Sequence, residues 1–413
     1  MYDLVIIGSG PAGIAAARQA NHYRLKTAII DYTSGNFGGT CLNKGCIPAK
    51  YYLEQSKYKS DLKLIHQGKQ DLIAQIKSSA ISYLQRKGID FLWGRAKFID
   101  SNHLAVNSEE IEAKNIIVAT GSIPQSIYSL DNQPAVFADD IFSHEELPDN
   151  ILIVGAGYIG LETACFLHNL GKKVLVIEKE ERILPSLDQY LSRRLQTILE
   201  KKGVAIRLSQ DFIQYDRKQF DMIIYALGRR PNLADLDHKA AGLRQDDQGW
   251  LTVDERLHTS AENIFACGDI TGQKLLAYVA DKQGSIAVEN IVGNDCLGDY
   301  YGLPECVFTQ PQAAFVGILE EEAKKKNIAY KIIKSNFLRF SSAFLYSDTD
   351  GFIQVLFDKD DTIIGASVIS QLAAELIGLF SFAIRQKTTI SQLKKMLFIH
   401  PTLSEIISGL FDS

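Results

Sequence analysis

The first apolar feature of the chain is a short β-rich run at residues 3–7 that stops at Gly8. A Gly-rich turn follows, then a helical stretch from about Pro11 to Tyr23, then a second strand from Thr27 to Asp31. Strand, turn, helix and strand in that order predict a parallel sheet with the helix as its crossover. The pattern returns as a strand at Ile151–Val154, the turn Gly155-Ala156-Gly157-Tyr158-Ile159-Gly160, a helix over Leu161–Leu170 and a strand over Val174–Glu178. Gly8 to Asp31 and Gly155 to Glu178 are both 23 positions apart, and two units at one spacing are far harder to reach by accident than one. Further strand-to-turn runs fall at Asn115–Gly121, Phe220–Gly228 and Asn263–Asp269, while Leu62–Lys87, rich in Lys, Gln and Ser, predicts a surface helix pair. The last hundred or so residues change character. They alternate as antiparallel strands (Tyr330–Asn336, Phe352–Asp358, Thr362–Ile369) before two helical stretches and a terminal His-Pro segment, which marks a separate α+β domain. The predicted fold is α/β: two Rossmann-like dinucleotide-binding domains, each a three-layer parallel sheet, and a C-terminal α+β domain.

Composition narrows the function classes. A chain of 413 residues is too long for one ordinary core, so two to four domains are expected. Forty-four Lys and Arg against 49 Asp and Glu leave a net charge of −5, which gives no electrostatic reason to expect nucleic acid or an anionic membrane as partner. The opening Tyr2-Asp3-Leu4-Val5-Ile6-Ile7 lacks the basic start and small-residue cleavage site of a secretory signal. The longest near-apolar stretch, Ala373–Ile384, contains Glu375 and is too short to span a bilayer. Six cysteines in this length make no disulfide scaffold. A reducing, cytoplasmic setting is expected, where any disulfide is catalytic rather than structural. No metal site is expected.

Three clusters carry chemistry. Gly8-Ser9-Gly10-Pro11-Ala12-Gly13 is a dinucleotide fingerprint: Gly8 permits the tight turn, Gly10 lets backbone approach a pyrophosphate, and Gly13 lets helix pack on sheet. Asp31 closes the second strand, where a carboxylate can accept hydrogen bonds from ribose hydroxyls. Gly155, Gly157 and Gly160 with Glu178 make the same case for a second ligand, and an acid at 178 favours NAD over its 2′-phosphorylated form. Lys179 and Arg182 blur that preference, either as a solvated edge or as partners for a phosphate. Cys41-Leu42-Asn43-Lys44-Gly45-Cys46 places two thiols five positions apart among glycines. On a regular helix the two would lie on different faces, as ordinary core cysteines. Gly39, Gly45 and Pro48 argue for a distorted helix start that brings the sulfurs within bonding range, and a loop so short suits a reducible bond better than a staple. Cys165, Cys267, Cys296 and Cys306 show no such pairing. His400-Pro401-Thr402-Leu403-Ser404-Glu405 offers a histidine that is either a solvated end residue or a base oriented by Glu405.

Taken together these segments resemble a known family. Gly39-Thr40-Cys41-Leu42-Asn43-Lys44-Gly45-Cys46-Ile47-Pro48-Ala49-Lys50 is similar to the active-site signature of the flavin-dependent pyridine nucleotide–disulfide oxidoreductases, and His400–Glu405 to their C-terminal signature. Ala119-Thr120-Gly121, Gly228-Arg229-Arg230-Pro231-Asn232 and Ala266-Cys267-Gly268-Asp269 resemble the remaining motifs in the family's order, so the resemblance covers essentially the whole chain. Within the family both signatures are most similar to the dihydrolipoamide dehydrogenases; mercuric reductases usually add a C-terminal cysteine pair, and no cysteine follows Cys306 here.

The resemblance implies FAD on the first fingerprint, with Asp31 at the adenosine ribose, Ala96 at the adenine, Asp269 at the ribityl chain, Ala277 beside the isoalloxazine, and Gly39, Thr40, Thr120 and Gly121 around it. It implies NAD on the second, lined by Tyr158, Ile159, Ala226, Gly228 and Arg229, with Tyr158 as a gate. It implies a redox Cys41–Cys46 disulfide, Lys50 near the flavin and paired with Glu162, and His400–Glu405 as the thiol base. It further implies a homodimer with the active site shared across the interface, and the domains 1–149 (FAD), 150–257 (NAD), 258–300 (FAD again) and 301–413 (interface). The implied reaction moves electrons between a dithiol, dihydrolipoamide foremost, and NAD. A related reductase acting on glutathione-like disulfides or metal ions, and a non-catalytic flavoprotein, are the alternatives. Three features depart from the pattern: only about forty residues separate Glu178 from Asp221, so an antiparallel excursion of the NAD domain is trimmed; Lys44 stands between the redox cysteines; and Gln310-Pro311 replaces a His-Pro.

Overall fold

The computed structural model describes residues 1–58, 61–125 and 135–410. The chain divides into two compact units. The first contains the N-terminal segment, Asp139–Leu147 and Leu227–Asp299; the second contains Pro148–Ala226 and the chain from Tyr300 on.

The first unit is built on a sheet ordered Asp90–Trp93, Thr27–Asp31, Tyr2–Ile7, Glu109–Val118, His103–Val106 and Ala96–Phe98, with Ile264–Ala266 pairing on Glu109–Val118. The strands from Asp90–Trp93 to Glu109–Val118, and Ile264–Ala266, run parallel, and the last two of the order add an antiparallel hairpin extension. Thr27–Asp31 is buried at every position, as a central parallel strand demands. Helix Pro11–His22 covers one face with small side chains: Ala12, Ala16, Ala17 and Ala20 share a core with Ala280, Ile286 and Ala287 of helix Ala277–Ile291. The backbones of these helices nearly touch, because a Cβ on Gly284 would lie 2.1 Å from the Ala12 carbonyl oxygen.

The expected return to the first domain at 258 comes some thirty residues earlier. Leu236, Ala241, Leu243 and Leu251 share a core with Ala96, Phe98, Leu104 and Val118, the Phe98 N–H bonds to the Leu236 carbonyl at 2.9 Å, and strand Arg229–Pro231 pairs with Ser122–Pro124. The predicted helix pair over Leu62–Lys87 is one 25-residue helix, Leu62–Arg86, capped by the Asp61 side chain.

The second unit contains a five-stranded parallel sheet ordered Ala205–Arg207, Lys173–Ile177, Asn150–Val154, Met222–Tyr225 and Ala135–Phe137. Between Arg207 and Met222 the chain runs through turns without a strand, so the antiparallel excursion is indeed trimmed. The C-terminal region forms a five-stranded antiparallel sheet in the order Pro304–Val307, Gln312–Gly317, Ile363–Ser370, Phe352–Phe357 and Lys331–Asn336, backed by helix Ala373–Arg385. Its core joins Val355, Ala366 and Val368 to Ile377, Phe380 and Ile384. Among the described residues no helix is long and apolar enough to cross a membrane.

The close approach in the first unit yields a stability test. Gly284→Ala is expected to cost about 1–3 kcal/mol or more, because the new methyl meets backbone that cannot swing aside. An unaltered urea midpoint would show that the two helices separate freely.

Candidate active site

Both fingerprints are wired alike. Gly8 (φ +111°) and Gly155 (φ +106°) turn each chain sharply at its strand end, and a Cβ on Gly13 or Gly160 would lie 1.9 or 2.0 Å from the carbonyl oxygen of Gly8 or Gly155. The acid that ends the second strand then grips the turn. Asp31 accepts the Ser9 N–H at 2.9 Å, and Glu178 accepts the Ala156 N–H at 2.7 Å. Asp31 also accepts the Ser9 hydroxyl, the Tyr32 N–H at 2.7 Å and the Asn36 amide at 2.6 Å. Glu178 takes in addition the Glu180 N–H at 3.0 Å. Each carboxylate therefore orients its own turn, a role not foreseen from spacing alone.

The thiol segment docks on the first fingerprint. The Gly38 N–H bonds to the Ser9 carbonyl at 2.9 Å, and a Cβ on Gly39 would come within 2.9 Å of the Gly10 Cα. Helix Gly39–Asn43 carries Thr40 and Cys41, breaks at Lys44-Gly45, and restarts as helix Cys46–Gln55, which carries Lys50. Asn43 holds the short helix down: its amide donates to the carbonyls of Gly39 and Phe37 at 2.8 and 3.0 Å, and its oxygen accepts Lys77 at 2.8 Å. The break turns both the Cys46 thiol and its backbone N–H toward the Cys41 sulfur. The hydrogen bond from the Cys46 side chain is the main reason that the Cys41 thiol is more acidic than usual; burial and the nearby Asp269 oppose it. Cys165 and Cys267, by contrast, are fully buried and pushed up to about 12, which suits core thiols.

Asp269 begins a short turn of helix beside this segment. Its carboxyl is pushed up by burial, accepts the Ser122 hydroxyl at 2.6 Å, and is partly held down by Arg229. The Arg229 side chain is fully engaged within the first unit. Its Nε donates to Ser122 Oγ at 2.6 Å, one terminal nitrogen donates to both Asp139 oxygens at 2.9 Å, and the other to the Ser122 carbonyl at 2.9 Å. Only about a tenth of either partner is exposed. Asp139 lies 90 positions before Arg229, so no local pattern announced the clamp. Next to it, Asp140 accepts Lys44 at 2.8 Å, so Lys44 neither points simply to water nor stands alone as a charge for a thiolate.

The remaining first-unit candidates surround the same region. Thr120 and Gly121 follow strand Glu109–Val118 and are pinned by Asn232, whose amide donates to the Thr120 carbonyl and whose N–H donates to the Gly121 carbonyl. Ala96 opens strand Ala96–Phe98, and Ala277 opens helix Ala277–Ile291. These residues fit a bound dinucleotide in two respects: a Cβ built on Gly10 meets nothing within 4 Å, and the buried Thr120 hydroxyl has no hydrogen-bond partner.

In the second unit, Tyr158, Ile159 and Glu162 lie on helix Tyr158–Asn169. The Tyr158 hydroxyl donates to Glu305 at 3.2 Å, and Glu162 accepts the Phe308 N–H at 2.8 Å. The Ala226 N–H bonds to the Val154 carbonyl, and Gly228 belongs to the first unit with Arg229. His400 Nδ1 lies 2.7 Å from Glu405 Oε2; the imidazole is largely exposed while the carboxylate is mostly covered. The arrangement fixes one ring nitrogen and presents the other outward, as an oriented base requires. Among the described residues no group of three or more His, Cys, Asp or Glu could hold a metal ion.

Comparison with known proteins accounts for this geometry. Residues 2–284 match the family described as pyridine nucleotide-disulphide oxidoreductase, and residues 303–410 match its dimerisation domain. The chain belongs to this family of disulfide oxidoreductases. It is 33% identical to a dihydrolipoyl dehydrogenase of Chlamydia pneumoniae, over 98% of this chain and 95% of that one, and 31% identical to one of Thermus scotoductus with the same coverage. Among solved structures, the HOCl-induced flavoprotein disulfide reductase RclA of Escherichia coli superimposes with a TM-score of 0.92 at 28% identity, covering 100% of this chain and 99% of its own. As a member of the family the oxidoreductase uses FAD and NAD(H).

Two expectations follow for the oxidoreductase. Cys46→Ala removes the donor that favours the Cys41 thiolate, so the rate of Cys41 alkylation by iodoacetamide should rise at a higher pH than in the reduced parent; an unmoved profile would contradict the assigned cause. Arg229→Met leaves the Asp139 carboxylate buried and uncompensated, and should cost about 3–5 kcal/mol in a denaturant titration.

Proposed function

We propose that this oxidoreductase exchanges an electron pair between a small dithiol, dihydrolipoamide foremost, and NAD(H), through a Cys41–Cys46 disulfide. The observation that carries the reading is the helix break at Lys44-Gly45, which sets Cys41 in one short helix and Cys46 at the start of the next. In the proposed cycle His400, held by Glu405, takes the proton of one substrate thiol. The substrate thiolate attacks the Cys41 sulfur, and the Cys41–Cys46 bond breaks with its electron pair on Cys46. The second substrate thiolate then attacks its own sulfur in the mixed disulfide, so the substrate leaves oxidised and Cys41 leaves as thiolate. Two electrons have passed to the cysteine pair, and two protons to His400 and solvent. Bound FAD supplies the two-electron link between Cys46 and the nicotinamide.

The chain's other residues bind and orient. Gly10, Pro11, Ala12, Thr120 and Gly121 form the cradle for FAD, with Asp31 and Ala96 toward its adenosine and Asp269 and Ala277 toward its flavin half. Gly157, Tyr158, Ile159 and Ala226 serve NAD(H), with Tyr158 as gate. Lys50 keeps a positive charge near the ring. The matched dimerisation domain supports a homodimer. In the proposed dimer His400 of one copy serves the cysteines of the other, so dilution to monomers should abolish turnover.

RclA, also solved as a Cu(II) complex, supports a second reading in which a metal ion is the electron acceptor. Steady-state assays with dihydrolipoamide, glutathione disulfide, Cu²⁺ and Hg²⁺ separate the two. The dithiol reading expects the highest kcat/KM with dihydrolipoamide, lost in Cys41→Ser and Cys46→Ser variants that still retain FAD. It also expects His400→Gln to slow the dithiol half-reaction about 10²–10⁴-fold while leaving reduction by NADH near its original rate. Equal slowing of both halves would remove His400 from the role of base.

A further inference from the structure

A carboxylate at Glu178 is one half of a coenzyme preference; the other half is what the nearby cations do. An Arg close to the ribose accommodates a 2′-phosphate, and selectivity against a ligand is often built by denying it such a partner. Arg182 follows Glu178 by four positions in the sequence Glu178-Lys179-Glu180-Glu181-Arg182. The loop that carries it is fastened to the fingerprint at both ends: Ala156 donates its N–H to Glu178 at 2.7 Å, and its carbonyl accepts the Leu184 N–H at 3.0 Å. Arg182 therefore hangs from the rim of the turn where the ribose would sit, within the reach of a long side chain.

Its guanidinium is nevertheless occupied. One terminal nitrogen lies 3.2 Å from Glu321 Oε2; the other donates to the Pro185 carbonyl at 2.8 Å and lies 3.4 Å from Glu321 Oε1. About a quarter of each side chain is exposed, so the pair is better shielded than an ordinary surface contact. Glu321 is itself anchored. It accepts the Gln189 N–H at 2.8 Å and Lys325 at 2.8 Å, and its own N–H bonds to Asp188 at 2.9 Å. Its carboxyl is held down to about 2, first by the bond from Lys325 and then, against burial, by Gln189 and Arg182. A charge fixed so firmly stays available to Arg182 across the physiological range.

We infer that Glu321 is a positioning residue for coenzyme choice: by holding Arg182 back against Pro185 it denies a 2′-phosphate its cationic partner, and so confines the second fingerprint to NAD(H). The inference rests on the assignment of NAD(H) to that fingerprint. It uses a residue from the C-terminal half of the chain, 143 positions beyond the acid that the fingerprint itself supplies. Lys179 and Arg207, whose carbonyl accepts the Glu178 N–H, are the other cations at this strand end, and removal of Arg182 in the Glu321→Gln background separates its contribution from theirs.

The test is binding, measured by isothermal titration of the purified FAD-loaded protein with NADH and with NADPH. Glu321→Gln keeps an oxygen for Gln189 while removing the charge that holds Arg182. It should tighten NADPH binding by about tenfold, the worth of one charge-assisted contact, and leave NADH within about threefold. In Glu321→Gln combined with Arg182→Ala the gain should vanish, and Arg182→Ala alone should leave NADPH binding where it began. The inference is overturned if Glu321→Gln leaves NADPH affinity unchanged, or if the gain survives without Arg182. A parent protein that binds NADPH as tightly as NADH would instead overturn the NAD(H) assignment. An NADH affinity lost in Glu321→Gln would report damage to the loop; Glu321→Ala and Lys325→Ala, read by the same titrations, then decide, since only the former should release Arg182.

Discussion

The chemistry proposed for this oxidoreductase depends on a helix that does not continue. On an unbroken helix, positions five apart point about 140° away from each other, and two thiols so placed could never share a proton or a bond. The chain stops one helix at Asn43 and starts the next at Cys46, with Lys44 and Gly45 absorbing the change in direction. An interruption this short needs support from both sides. Asn43 supplies it by tying the first helix to the carbonyls of Phe37 and Gly39, and Lys77 secures Asn43 from the long helix Leu62–Arg86. The long helix thus supports the proposed redox turn although it carries no reacting group.

A second economy lies in the two fingerprints. The carboxylates of Asp31 and Glu178 are expected to meet ribose, yet in both units the same side chain also accepts the N–H that follows the first glycine. One acid in each unit therefore shapes the turn at which the proposed ligand would bind. Replacing either acid disturbs both tasks, so a loss of binding at these positions does not by itself measure a lost contact to the sugar.

How much of this was legible in the sequence follows the range of the interaction. The glycine turns, the acids closing the strands, the cysteine pair and the His400–Glu405 contact are all encoded within some twenty-odd residues, where a fixed backbone geometry dictates residue type. Three of the five strands of the C-terminal sheet were legible as well, whereas the short strands Pro304–Val307 and Gln312–Gly317 were not. The Lys, Gln and Ser positions over Leu62–Lys87 suggest a helix pair, whereas the chain forms one helix, in which Gly68 faces the Tyr51 hydroxyl so closely that a Cβ would sit 2.1 Å away. The Arg229 clamp could not be read from the sequence because it is closed by Asp139 and Ser122, 90 and 107 positions distant, and charge complementarity over such separations leaves no periodic trace.

These long-range contacts also decide which charges matter at the thiols. Lys44 stands between the cysteines, and a cation there would ordinarily be credited with stabilising a thiolate. But its ammonium lies 2.8 Å from Asp140, so the two charges largely cancel for a third group, and both side chains are about half exposed, where water weakens what remains. An exposed pair of this kind contributes about 0–1 kcal/mol, against about 3–5 for breaking a buried pair such as Arg229–Asp139. The acidity of Cys41 therefore belongs to the donors turned toward it by Cys46, and Lys44 with Asp140 acts as a light strap between the redox turn and the segment that holds Arg229. Because Asp139 and Asp140 are adjacent, the strap and the clamp share one short stretch of backbone, and the cysteine pair is connected through it to Arg229, Ser122 and Asp269.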